Sequence, residues 1–136
     1  MKLFATYCSA NKDPASGTLP AVERYTSDRI NGVYANAKSA DARFAILSGQ
    51  FGLIGPDTAL EYYDHLLQPD EIEPMTAQVA ATLKEWGVTQ VHWFSVAFEM
   101  DPNVRRYKSV VEAAASVHSI SFELEIWEPT GMLGLV

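Results

Sequence analysis

The sequence predicts a three-layer α/β domain, with a mostly parallel sheet of about four strands and flanking helices. Three observations lead there. Short apolar runs of strand length alternate with stretches whose apolar residues recur at helical spacing. Capping residues and glycine stops separate the two kinds of segment. The length, 136 residues, suits a single domain with its own core.

The elements follow in order. Lys2–Tyr7 reads as the first strand. Thr18 is a candidate helix cap, with Pro20 in the first turn where proline is favoured. That helix continues, or restarts at Ser27, with Ile30, Val33, Tyr34 and Ala37 on one face. Gly32 weakens it by up to about 1 kcal/mol relative to Ala. Arg43–Leu47 is the second strand, and a glycine-rich segment follows. A helix runs from about Pro74 to Trp86, with Met75, Val79, Leu83 and Trp86 as its stripe and Gly87 as its stop. Gln90–Ser95 is the third strand. Asp101-Pro102 then opens a helix striped by Val104, Tyr107, Val111 and Ala114. Last, Ile120, Phe122, Leu124 and Ile126 alternate with polar residues, a strand near a sheet edge.

Composition bounds the function. Apolar residues make up 48% and charged residues 20%, which are globular values. No apolar run approaches the about 18 residues of a membrane span, and the N-terminus does not read as a secretory signal. One cysteine, Cys8, fits a reducing compartment, so a cytoplasmic protein is expected. Ten basic residues face seventeen acidic ones, a net charge of −7. That balance argues against extensive duplex DNA binding, which neutralises phosphates with Lys and Arg. It leaves room for a single nucleotide-like small molecule. There is no P-loop, no Gly-x-Gly-x-x-Gly after the first strand, no His-Glu-x-x-His and no Gly-x-Ser-x-Gly. No cofactor and no metal site is expected.

In a parallel sheet the C-terminal strand ends meet at one rim, where ligands of open α/β sheets bind. Three predicted strands end there in Cys8-Ser9, Ser48-Gly49-Gln50 and Ser95. Gly49 and Gly52 would let backbone approach a ligand closely. Gly55-Pro56-Asp57 then turns the chain into a loop carrying Glu61, Tyr62, Tyr63, Asp64 and His65. Each residue also has a purely structural reading: Cys8 as a small buried residue, Ser48 as a turn cap, Gln50 as a surface side chain. By the same token, Tyr62 or Tyr63 packs over the sheet end, Asp64 and Glu61 are solvated carboxylates, and His92 is a core residue. A nucleophilic Cys8 would want His65 or Lys12 beside it.

The segments CSANK (Cys8–Lys12), AVERYTSDRI (Ala21–Ile30), ILSGQFGLIGPD (Ile46–Asp57) and YYDHLL (Tyr62–Leu67) resemble a bacterial and phage domain family of unassigned function. That family's pattern is Cys-Ser-x-x-Lys, Ala-x-x-x-Tyr-x-Ser, Leu-Ser-Ala-x-Tyr-Gly-Leu-x-x-Pro-Asp and Tyr-Asp-x-x-Leu. The segments are also distantly similar to the peroxide-stress YaaA family. The likeness covers about the first half of the chain. Phe51 stands where the pattern has Tyr, and Asp64 where YaaA has arginine.

The resemblance implies one site built from residues 8, 9, 12, 48 to 52 and 62 to 64, acting on nucleotides or nucleobases. The expected function is N-glycosidic bond cleavage or transfer at the C-terminal edge of the sheet. Ser9, Lys12 and the Gly49, Gln50 and Gly52 amides would hold a polar or anionic group, with Ser48 alongside. Tyr63 would stack on a ring. Asp64, or Glu61, would serve as base or steady positive charge, and Cys8 is a third catalytic candidate. The alternatives are a non-catalytic nucleotide or small-metabolite binder and an interaction domain with no ligand site.

Overall fold

A computed structural model describes residues 1–97 and 101–128. Among these residues, five strands form the central sheet, in the order β4-β3-β1-β6-β7. They are β1 (Lys2–Tyr7), β3 (Arg43–Ser48), β4 (Gly52–Ile54), β6 (Gln90–Ser95) and β7 (Ser121–Ile126). All neighbours pair in parallel except β4, which runs antiparallel to β3. The sheet is mostly parallel, as its alternation of strand and helix requires.

One strand more than expected appears because the glycine-rich segment folds back. The chain turns between Ser48 and Gly52, with Gly52 at φ +79°, and Gly52–Ile54 pairs with Ile46–Ser48. Three residues are too few for a visible period of two. A second, two-stranded ribbon joins β2 (Leu19–Pro20) to β5 (Ala59–Leu60).

The helices are α1 (Ala21–Arg24), α2 (Asp28–Ser39), α3 (Ile72–Glu85) and α4 (Val104–Val117). Pro20, not Thr18, stands at the N-cap of the four-residue α1. The chain then breaks because Tyr25 bridges Lys12 and the Thr26 N–H donates to Asn11 O, both extended-chain contacts. The helix restarts at Ser27, whose hydroxyl accepts from Ile30 N at 3.2 Å. A single 3₁₀ turn, Pro69–Glu71, moves the start of α3 ahead of Pro74.

Alternation along β1 divides the core. Leu3, Ala5 and Tyr7 join the layer under α3 and α4, where Trp93, Val79 and Val111 are fully buried. Phe4 faces the other layer, with Phe44, Ile46 and Phe94 under Ile30 and Val33 of α2. His92 packs here as well, stacked on Phe94 with ring centroids 4.6 Å apart. Strand β7 closes one side of the sheet and is largely exposed, with Glu123 and Glu125 within 4 Å of His92 on β6. Among the described residues, no helix is long and apolar enough to cross a membrane.

Candidate functional site

From β1 the chain proceeds to β3 on one side of the sheet, and it returns later as β6 on the other. The β1/β6 boundary is thus the topological switch point, where an open α/β sheet leaves a crevice beyond its C-terminal strand ends. A cleft of about 320 Å³ lies there. The loop after β1 supplies Cys8, Ser9 and Lys12, and the segment before the 3₁₀ turn supplies Asp64 and His65. Four of the sequence-predicted residues, Cys8, Ser9, Lys12 and Asp64, therefore line one cleft.

Cys8 is half-buried, and its thiol donates to the Tyr107 hydroxyl at 3.8 Å. The same hydroxyl accepts from Leu67 N at 3.0 Å, so Tyr107 ties α4 to the cleft wall. Tyr63 is the second phenol against the thiol. No hydrogen bond joins the thiol to His65 or Lys12. Below it runs a hydroxyl chain. Ser48 Oγ accepts from Gln50 N and Phe51 N, both at 3.1 Å, so its own proton is free for Tyr63 at 2.8 Å. Tyr63 is bonded in turn to the Tyr25 hydroxyl. Burial pushes the Tyr63 phenol up to about 12, the negative form of Cys8 adds to the rise, and the Ser48 and Tyr25 bonds oppose it. Burial raises Tyr25, Tyr107 and Tyr7 too. At neutral pH all four remain neutral hydrogen-bond donors.

Tyr63 has a different position from the ring-stacking one expected of it. It is buried, its ring meets Phe51 edge-on, and the Lys12 ammonium lies 4.8 Å from its centroid. Tyr25 and Tyr62 complete a three-ring cage about Lys12 at 5.8 and 5.9 Å. Tyr63 therefore braces Lys12 and Cys8. Ser48 is also fully buried and serves as turn cap and network member.

The remaining predicted residues lie elsewhere. Gly49 and Gln50 line a second cleft with Met75 and Gln78, separated from the first by His65. Gly49 is glycine for want of space: a Cβ there would stand 2.8 Å from His65 O and 2.9 Å from Leu67 N. Gly52 serves the tight turn, against Gln78. Glu61 is exposed, and Ser95 is buried and donates to Val96 O. Neither lines the first cleft.

The structure adds Arg29, which the sequence reading left out. It sits in the first turn of α2, one helical turn before Val33 on the buried face, and is only 8% exposed. Its guanidinium donates to Thr6 Oγ1, Tyr7 O and Cys8 O, and stacks 3.6 Å above the Tyr7 ring. An arginine on an apolar stripe was the available signal. Tyr107 was visible as a core residue, but the direction of its hydroxyl was not.

His65 Nε2 lies 2.8 Å from Glu71 Oε1, which also accepts from Gln68 N at the start of the 3₁₀ turn. The Gln68 N–H, and then His65, hold the Glu71 carboxyl below its ordinary value of 4.5. A depressed folded pKa means that this stabilisation is complete above the ordinary value and is lost as pH falls through the folded one. Melting temperature should therefore fall as pH drops below the ordinary value of 4.5, and Glu71→Gln should flatten part of that fall. Equal slopes for the two proteins would show that Glu71 contributes nothing.

Among the described residues, no group of three His, Cys, Asp or Glu side chains is placed to hold a metal ion. Comparisons with protein-family models, curated proteins and solved structures return no match for this chain.

Proposed function

We propose that this protein is an enzyme acting on a nucleotide- or nucleobase-containing ligand, cleaving or transferring its N-glycosidic bond in the cleft beyond β1. One observation carries the reading. Two distant segments, residues 8 to 12 and 64 to 65, bring a thiol, a cation, a carboxylate and an imidazole into one crevice at the switch point. The resemblance of the same segments to the YaaA-like pattern points the same way.

In the hydrolytic version, the bond between the sugar carbon and the base nitrogen breaks, its electron pair leaving with the base. Water adds to the sugar carbon and gives its proton to Asp64, which returns one to the departed base. Asp64 also stabilises the positive charge that develops on the sugar before water adds. Lys12, fixed by its tyrosine cage, orients the ligand.

Release of free base from a panel of nucleotides and nucleosides tests the reading. Asp64→Asn should lower turnover by about 10²- to 10⁴-fold, the usual worth of a positioned acid–base group. Ligand-induced thermal shift should survive the change. No base release from any member of the panel sinks the enzyme reading. Thermal shifts without turnover would then select the non-catalytic binder, which the engagement of the Cys8 thiol by Tyr107 favours.

A further inference from the structure

Arg29 is a buried cation with no carboxylate within 4 Å among the described residues, and the same holds for Lys12. Both line the switch-point cleft. The Arg29 guanidinium spends three of its five N–H groups on Thr6, Tyr7 and Cys8, which leaves two without an acceptor among the described residues. Held by one hydroxyl and two carbonyls, Arg29 keeps a charge that no protein carboxylate among the described residues offsets and that an anion entering the cleft can meet. Asn103 and Val104, at the start of α4, also line the cleft, but there the Asp101 carboxylate accepts from Asn103 N and the Val104, Arg105 and Arg106 N–H groups bond back to the Asp101, Pro102 and Asn103 carbonyls, so the anion-attracting groups are Arg29 and Lys12. Asp64 and Asp101 also line the cleft, so it is not a general sink for anions. A ligand with one anionic end and one hydrogen-bond-donating end fits it. The volume, about 320 Å³, stands at the lower end of ligand sites and suits a mononucleotide rather than a dinucleotide.

We propose that the ligand of this cleft carries a phosphate monoester, seated between Arg29 and Lys12, so that nucleoside monophosphates bind and unphosphorylated nucleosides do not. This deepens the proposed function and rests on its choice of cleft. The phosphate accepts from the free Arg29 N–H groups and from the Lys12 ammonium. Arg29 thus has two tasks: it ties the end of β1 to α2, and it presents charge to the ligand.

Cys8 is the only cysteine in the chain and lines the same cleft, so its alkylation by iodoacetamide reports occupancy. Wild-type protein is labelled with nucleoside 5′-monophosphates, the matching nucleosides or inorganic phosphate, at constant ionic strength. A ligand at about ten times its Kd slows labelling about ten-fold, by mass action. Monophosphates should protect, inorganic phosphate should protect at higher concentration, and nucleosides should not. Lys12→Gln should raise the protecting concentration of monophosphate about ten- to hundred-fold, as expected for a lost charged hydrogen bond. Equal protection by nucleosides and monophosphates, protection by none of them, or unchanged protection in Lys12→Gln overturns the phosphate seat. Base release is scored separately. Turnover with equal protection leaves the glycosidic reading standing without the phosphate, and phosphate-selective protection without turnover does the reverse.

Discussion

Arg24→Ala is expected to destabilise the protein by about 3 to 5 kcal/mol. For a chain of this size that lowers the melting temperature by about 10 to 20 °C. The side chain is fully buried, yet it meets no carboxylate among the described residues. It makes five hydrogen bonds to four backbone carbonyls. Nε donates to Leu60 O, Nη1 to Asp13 O and Ala15 O, and Nη2 to Gly17 O and Leu60 O. A planar guanidinium fills this set because its five N–H groups diverge in a fixed fork. Truncation leaves four carbonyls to find other donors and unties the Asp13–Gly17 loop from β5. That loop continues directly from Lys12, so the cleft wall should loosen with it. Arg24→Lys should recover only part of the loss, since one ammonium with three protons cannot span the set. Thermal unfolding of both variants checks this. An Arg24→Ala protein melting within about 2 °C of wild type would mean that solvent satisfies those carbonyls without help.

Gly49→Ala is expected to cost about 3 kcal/mol, the upper part of the range for overpacking. The added methyl would stand 2.8 Å from His65 O, 2.9 Å from Leu67 N and 2.9 Å from the Tyr107 hydroxyl. Two of those are backbone atoms, and the third bonds Leu67 N and the Cys8 thiol. No flexible side-chain end is available to move aside, so the segment from Asp64 to Leu67 has to shift and Tyr107 has to release a partner. The damage should appear in function as well: Cys8 alkylation should quicken and ligand protection should weaken. Gly55→Ala is the control. Its new methyl would meet only Thr58 Oγ1, at 3.8 Å, an ordinary contact. Equal stability of the two variants would show that the chain at position 49 yields more easily than close packing allows.

Part of the site was legible and part was not. Cys8 and Ser9 stand out because the strand-end rule needs only the positions where apolar runs stop, whereas Lys12 and Asp64 come from the loop segments CSANK and YYDHLL and the resemblance they carry; the structure lines one cleft with all four. The Ser48–Gly52 segment was recognised as special, but its purpose was misplaced. Its glycines serve a tight turn and a close approach of the Tyr62–Gln68 segment, and its serine caps that turn. Glycine marks a need for space or for an unusual φ, and a ligand is one reason among several. Tyr63 reads equally well as a stacking ring or a brace, and its hydroxyl partners, Ser48 and Tyr25, decided in favour of the brace. Arg29 and Arg24 were overlooked for a shared reason. Their acceptors are backbone carbonyls from distant segments, and a carbonyl has no letter in the sequence.

By itself the sequence determined the layering: β1, β3, β6 and β7, the helices between them and the faces that all but the exposed edge strand β7 bury, because hydrophobic periodicity is local and its period names the element. It also placed reactive side chains at strand ends. Only the tertiary structure decided the strand order, the folding back of β4, which of those strand ends share a cleft, and where Arg29 and the Tyr107 hydroxyl point. Those features depend on contacts between residues tens of positions apart, and pairing across such distances is set by how whole elements pack, not by any single stretch of chain.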